Sequence, residues 1–188
     1  HGGVFEQISN LMTRRDIQQN RLEWVSNDLK IGDAKSDTLF FTGCSPYFAA
    51  YFGEPYADTL LGSLKSAIKL MNKIGIEPLL LKNEICCGHD FLLRGEPEKF
   101  KTIAELLTDQ IKNTNAKRIV FTCPECMVTL RDEYPKVVGN LGVELIHLSE
   151  LIESHLDEIK FEQTEFSAAY QDPCRLGRYS GLYSQPRN

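Results

Sequence analysis

The chain has no apolar run approaching the ~20 residues that a membrane-spanning helix requires, so no helical membrane span is expected within it. It has no surplus of positive charge either: 21 Lys and Arg stand against 26 Asp and Glu, a formal net charge of −5. Recognition of a nucleic acid backbone needs a concentrated basic face, so a nucleic acid partner is not expected. The opening residues lack the charged and then apolar stretch of a secretory signal, which makes a cytoplasmic location the expectation. An initiating Met is also missing, and the start at His1-Gly2-Gly3 reads as that of an excised or processed segment. Hydrophobic content of 42% with 25% charged residues is that of a soluble globular protein with room for one ordinary domain plus extensions. In a reducing compartment structural disulfides are rare, so six cysteines point to metal or redox chemistry.

Five of those cysteines form one spaced pattern, Cys-x41-Cys-Cys-Gly-x34-Cys-x2-Cys, made by Cys44, Cys86, Cys87, Cys123 and Cys126. Its centre is Glu84-Ile85-Cys86-Cys87-Gly88-His89. Adjacent cysteines do not bond each other easily, because their Cα atoms are only ~3.8 Å apart and a disulfide prefers ~4.4–6.8 Å. Cys86 and Cys87 therefore look outward for partners. A single Cys-x-x-Cys serves redox and zinc sites alike, but the whole pattern is far more specific.

Hydropathy places these cysteines on a fold. Residues 4 to about 30 carry apolar residues at irregular helical spacing and predict one or two peripheral helices, with Trp24 as a packing anchor. A loop follows at Gly32–Asp37. Short apolar runs at 38–42, 77–81, 118–122 and 143–147 then predict buried parallel strands. Helical periodicity between them predicts helices over 55–74 and about 96–112, one beginning at Cys123, and one near 149–156 capped by Ser149. Alternating strands and helices argue for an α/β fold, a Rossmann-like parallel sheet with helices on both faces. Ligands bind beyond the carboxyl ends of such strands, and Cys44, Cys86–Cys87 and Cys123 each follow a predicted strand, so the cysteines should gather at that edge. His147 and His155 read as structural, whereas His89 is placed to donate to a sulfur or to lie exposed on its loop.

Thiolates are soft ligands that select zinc or iron–sulfur clusters. Helix N-termini beyond Cys44 and at Cys123 should favour the thiolate form. A structural zinc and an ordinary cubane cluster each take four cysteines, leaving one over; adjacent cysteines bridging neighbouring irons would use all five. A buried spare cysteine, a zinc-stabilised structural or interaction domain, and a thiol–disulfide module using Cys123 and Cys126 stay open on these grounds.

Gly43-Cys44, Cys86-Cys87-Gly88 and Cys123-Pro124-Glu125-Cys126 resemble the cysteine-rich CCG domain of the heterodisulfide reductase catalytic subunit. Related iron–sulfur subunits occur in glycolate, lactate and glycerol-3-phosphate oxidising enzymes. The resemblance covers about residues 38–188. It implies that Cys44, Cys86, Cys87, Cys123 and Cys126 hold an iron–sulfur cluster, in heterodisulfide reductase a noncubane four-iron cluster. Two such clusters there split the disulfide of coenzymes M and B; other relatives hold zinc or a conventional cluster. The implied partners are other iron–sulfur or flavin electron-transfer subunits or domains. In that family the domain usually occurs twice, and Tyr170-Gln171-Asp172-Pro173-Cys174-Arg175-Leu176-Gly177-Arg178 is similar to the opening of a second copy. Cys174, after the apolar run that begins at Phe166, would be the first ligand of a second site left incomplete by the fourteen residues that remain. The expected division is a helical extension or linker over 1–37, a first CCG domain over 38–160 and the start of a second over 161–188. The expected activity is that of part of a larger oxidoreductase, with this fragment inactive by itself.

Overall fold

The computed structural model describes the whole chain except residues 1, 2, 15, 18, 163, 164 and 166 and the side chain of residue 5. In chain order its elements are α1 (Gly3–Thr13), β1 (Thr38–Phe41), α2 (Ser45–Phe52), α3 (Tyr56–Lys73), α4 (His89–Leu93), α5 (Pro97–Lys112), β2 (Arg118–Phe121), α6 (Pro124–Val128), β3 (Glu144–His147) and α7 (Leu148–Glu153). The three strands form a parallel sheet in the order β1-β2-β3, with Leu39 opposite Ile119 and Ile119 opposite Leu145.

Side chains alternate across a strand, and here the alternation sorts the core into two layers. Leu39, Phe41, Ile119 and Phe121 face one cluster with Ile8 and Met12 of α1, Phe91 of α4 and Phe100, Ile103, Leu107 and Ile111 of α5. Phe40 and Val120 face the other, with Trp24, Leu29, Leu64, Ile68 and Met71 of α3, and Leu151 of α7. The three- and four-residue spacings in α3 and α5 make one continuous apolar stripe on each helix. Both stripes match the expectation from periodicity. Trp24 packs in the core, as expected of an anchor.

The second expected strand, 77–81, is not a strand. Only Leu79 pairs with β1, donating its amide to Thr38 O at 2.8 Å and accepting from Phe40 N at 3.0 Å. Pro78 has no amide to donate to a ladder, and its carbonyl accepts from Gly32 N instead. The cap of α7 is also displaced by two residues from the expected Ser149. His147 Nδ1 accepts from Ser149 N at 3.2 Å, and the Glu150 carboxylate accepts from His147 N at 2.9 Å. Two features have no counterpart in the sequence pattern: the five-residue α4, and a wider π-type turn over Thr129–Glu133 that carries the chain from α6 to the buried Tyr134.

Phe166, where the apolar run before Cys174 begins, lies outside the described residues, and Ser167–Tyr170 are not a strand. The C-terminal residues instead form turns that bury Leu176 and Leu182 in the α5 cluster. Among the described residues no helix is long and apolar enough to cross a membrane.

Candidate metal centre

Each cysteine segment is held by a different piece of the sheet. Cys44 lies just beyond β1 and caps α2, Cys123 lies just beyond β2 and caps α6, and Cys126 belongs to α6 itself. Cys86 and Cys87 sit between the Leu79 bridge and α4. The three segments meet. Cys44 Sγ is 4.0 Å from Cys86 Sγ, and a Cβ on Gly43 would stand 3.5 Å from Cys126 Sγ, so the Cys126 thiol packs over the residue preceding Cys44. Beyond that pair, Cys86 and Cys87, Cys87 and Cys126, and Cys126 and Cys123 lie near enough to shift one another's ionisation. The five form a string, 44–86–87–126–123, buried at Cys86, Cys87 and Cys126 and partly exposed at its two ends. Among the described residues, no three His, Cys, Asp or Glu side chains are gathered to hold a single ion. Cys174 is exposed and, among the described residues, outside this string.

The thiols differ in how readily they ionise: Cys86 and Cys123 are lowered, and Cys44, Cys87 and Cys126 are raised. Cys86 is held well below the usual thiol range because the Cys44 and Cys87 thiols donate to it; burial opposes this, and the Gly88 amide and Ser9 reinforce it. Cys44 is raised in turn, by its bond to Cys86 and then by burial. At the other end Cys123 is lowered to about 7, first by the Cys126 thiol, against burial, with the Cys126 and Glu125 amides assisting. Cys126 is raised by its hydrogen bonds to Cys123 and Cys87 and by burial. Cys87 accepts from Cys126, which lowers it, but its bond to Cys86 and its burial prevail and hold it high. The expectation that helix N-termini favour the thiolate therefore holds at Cys123 and fails at Cys44, whose thiol serves as a donor to its neighbour. Metal loading requires thiolates and releases the remaining protons.

The surrounding residues fix the string. Gly88 adopts φ 84° and turns its amide onto Cys86 Sγ at 3.3 Å. A Cβ at Gly88 would stand 2.9 Å from Phe100 Cδ2, so only glycine lets this turn lie against α5. Tyr134 donates to the Cys87 carbonyl at 3.1 Å and meets the Phe100 ring edge-on at 5.8 Å. Arg21 and Glu84 form a buried pair between the loops that carry Cys44 and Cys86. The His89 ring is not on a thiol: it pairs with Glu125 at 3.0 Å and Thr129 Oγ1 at 3.3 Å, and only its backbone amide serves Cys87. Glu125 also pairs with Arg175 at 3.2 Å, tying the residue after Cys174 to the Cys123–Cys126 turn. His147 and His155 are structural, bonding Thr122 O and Leu151 O.

Sequence reasoning did not find Arg21, Ser9 or Tyr134. Each lies far along the chain from the cysteine segment it supports, and no local spacing marks it.

The profile of the cysteine-rich domain family, CCG, matches residues 38–131, which contain all five thiols of the string. The chain belongs to this family. Among CCG relatives, it is 32% identical over 178 residues to a subunit of the dihydromethanophenazine:CoB–CoM heterodisulfide reductase of Methanosarcina acetivorans, covering 90% of this chain and 41% of that protein. It is 30% identical over 154 residues to the EtfAB:quinone oxidoreductase of Syntrophomonas wolfei, covering 80% of this chain and 20% of that one. An iron–sulfur protein of Methanococcus maripaludis is 26% identical over 95% of the chain and 35% of its own length. The chain thus spans less than half the length of these relatives. No solved structure matches it at a significant level.

Proposed function

We propose that Cys44, Cys86, Cys87, Cys123 and Cys126 hold an iron–sulfur cluster, a noncubane four-iron cluster, in a domain that passes electrons within a heterodisulfide reductase-like oxidoreductase. The observation that carries this reading is the continuous string of five thiols drawn from three separate segments. A string suits a polynuclear cluster, which takes ligands over a wide surface, better than one tetrahedral ion that needs four donors closed around a point. Membership of the CCG family and relatives named as iron–sulfur and heterodisulfide or quinone oxidoreductase proteins support the same reading. The cluster, when bound, supplies one-electron chemistry to a disulfide or organic substrate. The chain supplies soft ligands, burial at the centre of the string, and amide donors from Gly88 and His89 to the sulfurs.

The finer architecture belongs to the same proposal. The Leu79 bridge on the far side of β1 and the parallel order β1-β2-β3 support a Rossmann-like sheet with the thiols at its carboxyl edge. Residues 38–160 are the first CCG domain, 1–37 an extension, and 161–188 the opening of a second, incomplete copy with Cys174 as its first ligand. Turnover would then require parts beyond this chain, and its partners would be iron–sulfur or flavin subunits or domains.

Anaerobic reconstitution with iron and sulfide tests the proposal. The wild type should bind both and absorb in the visible. Cys86→Ser or Cys87→Ser should lose or alter that spectrum, while Cys174→Ser should leave iron content nearly unchanged. Stoichiometric zinc in place of iron and sulfide, or loss of metal in Cys174→Ser, would overturn it.

A further inference from the structure

Arg21 lies in the segment before β1, outside the residues matched by the family profile, yet it is only 5% exposed. Its guanidinium reaches two cysteine loops at once. Toward the Cys44 loop, Nη2 donates to Gly43 O at 2.7 Å and to Thr42 Oγ1 at 3.4 Å, and the fork lies 4.8 Å from the centre of the Tyr47 ring in α2. Toward the Cys86 loop, Nη1 donates to Glu84 O, and Nη2 lies 3.4 Å from Glu84 Oε1. Glu84, 1% exposed, reaches back across the same gap. Its carboxylate accepts from Thr42 N at 3.1 Å, Thr42 Oγ1 at 2.8 Å and Gly43 N at 2.7 Å.

We infer that Arg21 and Glu84 form a charge-balanced latch that sets the spacing between Cys44 and Cys86 and so controls retention of the metal centre. This rests on the reading of those cysteines as ligands. The physical reason is that Cys44 and Cys86 come from loops with, among the described residues, no strand ladder between them beyond the single Leu79 bridge. Backbone pairing therefore leaves their separation loosely set. The latch supplies reciprocal contacts, Arg21 onto both loops' carbonyls and Glu84 onto the Cys44 loop's amides. Arginine suits the role because its planar fork donates in several fixed directions at once, whereas a lysine is a point donor. Two opposite charges are needed because either one alone would be buried and uncompensated. The pair thus has two separable effects: it tethers the loops, and it keeps the local charge balanced beside the thiols.

The experiment uses the full chain as wild type, Arg21→Lys, Glu84→Gln and the double variant Arg21→Met/Glu84→Gln. The double variant guards against misfolding of the singles, since it leaves no unpaired buried charge. After anaerobic reconstitution, metal release to a chelator should be about tenfold faster in all three variants, as when a residue orienting a metal ligand is lost. The midpoint potential should follow charge rather than tether. Glu84→Gln, which leaves Arg21 uncompensated, should rise above wild type, and the double variant should return toward it while still releasing metal quickly. A metal-free readout accompanies these measurements: in a chain retaining only Cys44 and Cys86, mild oxidation should form their disulfide several-fold more slowly when the double substitution is present. A double variant that holds metal and forms that disulfide at the wild-type rate would overturn the latch. A wild type that binds zinc, or no metal, would instead overturn the iron–sulfur reading; the latch would then stand or fall on zinc release and on the disulfide rate.

Discussion

His147 divides its contacts between its two ring nitrogens. Nε2–H donates to Thr122 O at 3.2 Å, which leaves Nδ1 as the acceptor that caps α7. That division uses the single proton of a neutral imidazole; Nδ1 also lies 2.9 Å from Ser149 Oγ, and a second proton there would remove the acceptor that the Ser149 amide uses. Burial lowers the pKa of His147 below its usual value, and the Thr122 carbonyl only partly offsets this. With the folded pKa depressed, the unfolded chain binds more protons between the two values, so stability rises with pH across that window. The contribution is fully present above the unfolded value of ~6.5 and is lost as pH falls through the folded value. His147→Asn keeps a capping acceptor and removes the titration. Urea midpoints measured between pH 7.5 and 5.5 should therefore fall less steeply in His147→Asn than in the wild type; parallel slopes would contradict this account of the ring.

Among the elements, the turn from Cys87 into α4 shows how a short motif depends on a distant helix. Gly88 and Gly139 both have positive φ, 84° and 78°, so an alanine at either position meets a similar backbone penalty. They differ in their surroundings. A Cβ at Gly88 runs into Phe100 and Ile103 of α5, whereas one at Gly139 meets, among the described residues and apart from its chain neighbours, no heavy atom within 4 Å. Gly88→Ala should therefore cost about 1–3 kcal/mol more than Gly139→Ala, the range for overpacking a close contact, with urea denaturation as the measurement. It should also weaken metal binding, because the same turn aims the Gly88 amide at Cys86. Equal destabilisation by the two substitutions would mean that α5 yields to the new methyl group.

Across the full chain, the C-terminal residues are joined to the thiol-bearing part by packing and by charge. Leu176 is 2% exposed and packs in the cluster of α5 and the sheet. Arg175 pairs with Glu125, and Arg131 donates to Ser180 Oγ at 3.1 Å. These contacts make the segment after Cys174 part of the same cooperative unit as α6. Leu176→Ala should therefore destabilise the entire chain by about 2–5 kcal/mol through loss of transfer energy and an unfilled cavity. A single unfolding transition, followed by both far-UV circular dichroism and the fluorescence of Trp24, should move as one. A change confined to one probe would show that the C-terminal segment unfolds separately.

The features legible in the amino-acid order were periodic or chemical. Apolar runs and helical stripes marked β1, β2, β3, α3 and α5 within a residue or two, because burial on alternating or one-sided faces must be written into consecutive residues. Cys44, Cys86, Cys87, Cys123 and Cys126 were legible because few residue types have their chemistry, and their spacing was specific enough to point to a family. The single-residue bridge at Leu79, the cap at His147 and the pairing of His89 with Glu125 came from the folded arrangement, since each depends on which partner waits across space. The same holds for the unequal ionisation of the thiols and for Arg21, which is one charged residue among many in the sequence. Only the folded chain places it between Gly43 and Glu84, where burial turns a single guanidinium into a contact between two loops.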